Sequence, residues 1–143
     1  MEIRILGATY FLRKNSVLKA SPALIIMGVI FYFSHLPGDS IDFVSAFKGA
    51  DKLLHALVYA LLAVSCIPTA KSLIKKYSLR YVAVGIVFFC LLYGISDEFH
   101  QSFIPYRSAS GWDVLADTAG ATLTVWIWSR RMANSLPCKR SLL

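Results

Sequence analysis

Four stretches of the chain are almost continuously apolar, and charged residues fall mainly between them. A helix that crosses a bilayer needs about 20 mainly apolar residues, with roughly 17 as the lower limit. The pattern therefore predicts four transmembrane helices at about 17–36, 53–70, 81–96 and 112–129. The first has Pro22 near its start, where proline is tolerated, and stops at Leu36-Pro37-Gly38-Asp39. Lys52 and Lys71 bracket the second. The third has only 16 residues between Arg80 and Asp97, so those ends are expected at the membrane interface or just within it. The fourth carries Asp113 and Asp117 in its first turns, with Ser110 or Asp113 placed to cap its start and Trp126 and Trp128 near the far interface as aromatic anchors. Ala116, Gly120 and Thr124 form a stripe of small residues at a spacing of four, which lets another helix approach closely. The first eleven residues are too short to cross and are expected to rest at the interface. Nothing around Ser34-His35-Leu36-Pro37 resembles a cleavage site, so the first span is expected to be a retained anchor.

The expected fold is all-α, a single polytopic membrane domain over 1–143. At this length a second domain would leave neither half enough material for a core. Composition agrees: 57 % of residues are apolar and only 16 % charged, with a mean hydropathy of +0.59, whereas a soluble domain carries about a quarter charged residues. The net charge of +7 would point to nucleic acid in a soluble protein, but its distribution excludes that. The arm before the first span, the loop between the second and third, and the tail hold twelve of the fifteen bases and one acid, Glu2. By the positive-inside rule those three segments are expected in the cytoplasm, which makes the chain a multi-pass inner-membrane protein with both termini inside. The cysteines, Cys66, Cys90 and Cys138, lie in apolar runs or the basic tail, so no disulfide framework is expected.

The two outward connections, Pro37 to Lys52 and Asp97 to Trp112, and the adjoining helix ends collect all three histidines and seven of the eight acids. Residues three or four apart share a helix face. Three such sets occur: Asp51 with His55, Asp97 with His100 and Gln101, and Asp113 with Asp117. Tyr59 continues the face of Asp51 and His55, and His55 and Asp117 each sit about 6 Å deeper than the first member of their pair. An unpaired carboxylate one turn inside a span costs several kcal/mol. Asp117 is therefore expected to point into the bundle, toward the helix of His55, and to be neutralised by Lys52, Arg107 or a cation, or else protonated.

Asp51-Lys52-Leu53-Leu54-His55-Ala56-Leu57-Val58-Tyr59 resembles the first motif of VanZ-like membrane proteins. Asp97-Glu98-Phe99-His100-Gln101-Ser102-Phe103-Ile104-Pro105-Tyr106-Arg107 resembles the second, and Asp113 and Asp117 with Gly120-Ala121 the third. The resemblance runs from about Phe31 to Gly120, in order and at the right spacing. Two positions depart from it: the family often has glycine at Tyr106 and asparagine at Asp117. It implies a small bacterial envelope protein, related to one associated with teicoplanin resistance, and it supplies no mechanism.

Three readings of the outward cluster follow from its chemistry. In the first, Lys52 and Arg107 pair with the acids and clamp the helix ends, although seven acids against Lys48, Lys52 and Arg107 leave four negative charges over. In the second the cluster is an enzyme site acting on a lipid head group or a lipid-linked envelope intermediate. Asp97 or Glu98 would be the general base and His55 or His100 the proton shuttle, since imidazole titrates near neutrality. Lys52, Tyr59, Gln101, Arg107, Asp113 and Asp117 would then form the substrate-binding set, with the planar fork of Arg107 suited to a phosphate or carboxylate. In the third the pocket binds without turnover. The cofactor stays open at this point. A divalent cation is one option, with Asp51, His55 and His100 as candidate ligands, and no HExxH-type motif is present.

Overall fold

The computed structural model describes residues 2–38 and 49–135, and within its first helix the side chains from Val17 onward. Four helices account for nearly all of this: α1 (Glu2–His35), α2 (Ala50–Leu73), α3 (Leu79–Gln101) and α4 (Gly111–Ser135). Asp39 and Asp42, two of the seven acids counted at the outward connections, lie with Lys48 and Cys138 outside the described residues. Of the four, Val17–His35, Ala50–Leu73 and Leu79–Gln101 are long and apolar enough to cross a membrane. The chain is thus a multi-pass membrane protein.

Every helix exceeds its expected span, because a helix does not have to stop where its hydrophobicity does. α1 begins at Glu2, so the expected interfacial segment is continuous with the first span. α1 closes before Pro37, which biases the preceding residue away from helical geometry. α2 starts after Gly49, whose φ of 93° is a left-handed conformation natural to glycine. α3 continues five residues past Ser96, and this changes the picture of the site: Asp97, Glu98, His100 and Gln101 lie in its last turns and not in a loop. α4 extends from Gly111 to Ser135.

The helices form an up-and-down bundle with α2 packed on all three others. Lys19 Nζ donates to Ser72 Oγ at 2.8 Å, and Thr69 Oγ1 donates to the Lys19 carbonyl at 3.0 Å, so α1 and α2 run antiparallel. α2 and α4 run parallel, and their register is fixed by Gly120. A Cβ added there would stand 2.0 Å from the Ala56 carbonyl oxygen, so only glycine admits this approach. Gly120, at the middle of the small-residue stripe, thus sits on the seam between α2 and α4.

α4 carries its polar residues inward. Asp113, Asp117, Ala121, Val125 and Trp128 are buried along one face, while Trp112, Leu115, Leu123 and Trp126 are exposed on the other. That arrangement suits a lipid surround better than water. Trp126, expected as an anchor, is exposed, with the Arg130 guanidinium 5.3 Å from its ring centre. Trp128 is instead packed in the core. Cys90 is fully buried, Cys66 is partly buried, and both are free thiols.

Candidate functional site

The parallel register of α2 and α4 places residues near 52–59 beside residues near 113–120, at the end of the bundle opposite Lys19, Lys71 and Arg130. Two polar rungs result. At the rim, Lys52 Nζ donates to Asp51 Oδ2 at 2.7 Å and to Asp113 Oδ1 at 2.8 Å. One turn deeper, His55 Nδ1 donates to Asp117 Oδ1 at 3.0 Å. Asp51 and Lys52 are about two-fifths exposed, whereas the Asp117 side chain is fully buried. Water screens the rim pair, so it adds little stability. The inner pair is shielded and specific.

Asp117 points inward toward α2, as its desolvation cost requires, but its partner is His55 and not Lys52 or Arg107. Lys52 is committed one turn above it. α3 makes room for the pair at Gly94, where an added Cβ would lie 3.0 Å from Asp117 Oδ2 and 3.5 Å from Tyr59 Cε1. The Tyr59 ring is buried in the same layer.

The last turns of α3 close the third side. Glu98 is 5 % exposed, and its Oε2 accepts the Ser110 backbone N–H at 2.7 Å, which ties α3 to the start of α4. Buried polar atoms are normally hydrogen-bonded. Here Glu98 Oε1, Asp117 Oδ2 and the Tyr59 hydroxyl are buried with no protein partner among the described residues. Asp97 is instead held by Gln101 Nε2 at 3.0 Å, and the same amide reaches Ser34 Oγ at 3.3 Å.

Arg107 meets no carboxylate among the described residues. Its Nε donates to the Leu36 carbonyl at 3.2 Å and an Nη to the Phe33 carbonyl at 2.8 Å, with Gln101 Oε1 at 3.5 Å. The last carbonyls of a helix lack intrahelical donors, and a guanidinium there also opposes the negative end of the helix dipole. Arg107 therefore caps α1. Its loop is held close by Gly38, whose N–H donates to the Pro105 carbonyl at 3.2 Å and whose Cβ position is taken up by the Tyr106 carbonyl. Tyr106 adopts φ 59°, a left-handed conformation that residues with a side chain rarely take.

His100 also stands apart from His55. Its Nε2 lies 3.3 Å from His35 Nδ1, and it stacks on His35 and Phe31 with ring centres 5.5 and 4.9 Å apart. Among the described residues the grouping with metal-ligand spacing is His55, Glu98 and Asp113, each offering an atom within 4.8 Å of the others. This differs from the expected set of Asp51, His55 and His100, because Asp51 is taken by Lys52 and His100 faces α1. Ser34, Gly94 and Ser110 also shape the site and were not anticipated. Only the position of Ser110, three residues before Asp113, carried a sequence signal, and that signal was for capping.

The VanZ/LLP1 family model matches residues 19–133, well over half of the chain. No curated protein and no solved structure matches it.

Proposed function

The chain belongs to the VanZ/LLP1 family, and we propose that it is a four-span inner-membrane protein of the bacterial envelope whose outward polar site acts on the head group of a lipid or lipid-linked intermediate. One observation carries this reading. Glu98 Oε1, Asp117 Oδ2 and the Tyr59 hydroxyl are buried without partners in the layer around His55. Leaving such atoms unpaired costs on the order of 1–3 kcal/mol each, a cost that stability alone does not favour and a ligand would offset. In this reading Glu98 is the general base and His55 the proton shuttle, held in one orientation by Asp117. Tyr59 and Asp113 contact the substrate.

Orientation follows from charge. Lys19, Lys71, Lys75, Lys76, Arg80, Arg130 and Arg131 gather at one end and the site at the other, which supports a cytoplasmic basic end and an outward site. The apolar outer face of α4 supports counting it as the fourth span.

A clamp accounts for part of the cluster. The Lys52 bridge from α2 to α4 and the Arg107 cap on α1 are structural in form. They leave His55, Glu98 and Tyr59 unexplained. The test is a bacterial host expressing the chain, scored for glycopeptide susceptibility and for membrane abundance. Glu98→Gln is expected to remove the effect at unchanged abundance, and a fully active Glu98→Gln variant would refute the reading.

A further inference from the structure

We propose that His55, Glu98 and Asp113 bind one divalent cation of the zinc or manganese type. The inference rests on the reading of the same site and replaces the base, shuttle and substrate-contact roles of Glu98, His55 and Asp113 with ligand roles. The bound cation then supplies the activation of water or substrate oxygen that those side chains supply without it. Cation binding is measured without substrate, so the two can fail separately.

The argument starts from how each side chain is held. His55 Nδ1 is engaged by Asp117 Oδ1, Glu98 Oε2 by the Ser110 N–H, and Asp113 Oδ1 by Lys52 Nζ. Each residue is thus fixed through one atom and keeps a second, His55 Nε2, Glu98 Oε1 and Asp113 Oδ2, with no hydrogen-bond partner among the described residues. This is the arrangement of a metal site in which an outer set of hydrogen bonds orients the ligands. An imidazole that ligates through one nitrogen usually gives its other N–H to a carboxylate, as His55 does to Asp117. Glu98 Oε1 is buried and unpartnered within this group, which is the strongest single sign that something else meets it.

Geometry and charge agree. One candidate ligand atom from each of the three residues lies within 4.8 Å of those of the other two. Ligands on a tetrahedral cation with bonds near 2.1 Å stand about 3.4 Å apart, so side-chain rotations of about 1 Å would complete the shell. One nitrogen and two carboxylate oxygens suit zinc or manganese, and three protein ligands leave a position open for water or a substrate oxygen. The described residues at this end carry five acids, Asp51, Asp97, Glu98, Asp113 and Asp117, against Lys52 and Arg107. A divalent ion reduces that excess. It also supplies what the side chains do not: both of these cations are already engaged, so an anionic head group needs another positive centre.

The test uses the full chain, purified in detergent without a polyhistidine tag, stripped with chelator and titrated with zinc chloride or manganese chloride. Calorimetry and elemental analysis give the stoichiometry, and thermal unfolding reports integrity. The expected result is one ion per chain and a rise in unfolding temperature on binding. Glu98→Gln, which keeps the size of the side chain, is expected to weaken binding at least tenfold, while Asp51→Asn, at the rim, binds as the parent does. No saturable binding by the folded parent chain would overturn the proposal. So would a folded Glu98→Gln variant that binds with unchanged affinity. Should that variant not fold, Glu98→Asp serves in its place, with weakened binding expected and unchanged affinity again decisive against the site.

Discussion

Replacing Gly120 with alanine adds one methyl at the closest approach of α2 and α4. That methyl would sit 2.0 Å from the Ala56 carbonyl oxygen and 2.7 Å from its carbon. A carbon–oxygen contact relaxes at about 3.3 Å or more, so the helices must part by about 1.3 Å. The obstacle is backbone, which cannot rotate away, so the cost belongs at the upper end of the roughly 1–3 kcal/mol typical of overpacking. Alanine returns about 1 kcal/mol through its better helix propensity, which leaves a net loss of about 2 kcal/mol. The functional effect is larger, because His55 precedes Ala56 and Asp117 lies one turn from Gly120. Parting the helices by that distance stretches the 3.0 Å His55–Asp117 hydrogen bond beyond bonding range. Thermal unfolding in detergent and the cellular effect, each compared with Gly28→Ala and Gly85→Ala, provide the assay. Nothing lies within 4 Å of an added Cβ at either control position. A Gly120→Ala variant as stable and as active as the controls would refute the packing argument.

Arg107→Lys is expected to destabilise the fold by about 1–3 kcal/mol, because lysine cannot serve the Leu36 and Phe33 carbonyls and Gln101 together. Membrane abundance should drop while the activity of each folded molecule is kept; loss of activity at full abundance would return Arg107 to the substrate site. Asp117→Asn should keep activity, since its amide oxygen still accepts the His55 Nδ1–H, and Asp117→Leu should lose it. A well-inserted, active leucine variant would remove Asp117 from the site. For topology, single cysteines at Ser78 and Ser135 should resist an impermeant reagent on intact cells while one at Ser108 reacts, and the reverse pattern would invert the orientation.

Periodicity made much of this site legible. The four-residue steps from Asp51 to His55 to Tyr59 and from Asp113 to Asp117 marked two polar faces, and desolvation required Asp117 to turn inward. Gly120, at the middle of the Ala116-Gly120-Thr124 stripe, marked the seam that brings those faces together. What spacing lacks is the rotation of one helix against its neighbour. That rotation decides that His55 meets Asp117 while Lys52 meets Asp113, and that His100 turns to His35 instead of His55. The contacts of Arg107 are invisible for a related reason: the acceptors it satisfies are backbone carbonyls at the end of α1, and backbone groups leave no mark in a side-chain pattern. Gly94 carries no signal in the sequence, because a glycine inside an apolar run looks the same whether it clears space for a buried carboxylate or faces lipid. At α3 hydrophobicity stops at Ser96 while the helix runs on to Gln101, and there only the shared face of Asp97, His100 and Gln101 marks the helix.

The central claim is that Glu98 and His55 do chemistry at the outward end of the bundle. The direct measurement places the full chain in lipid nanodiscs with a lipid-linked envelope intermediate and follows the head group by mass spectrometry, with Glu98→Gln at equal abundance alongside. The account predicts a modified head group that accumulates with the parent chain and is absent with Glu98→Gln. Product formed equally by both, or by neither when the parent is folded and correctly inserted, would contradict it.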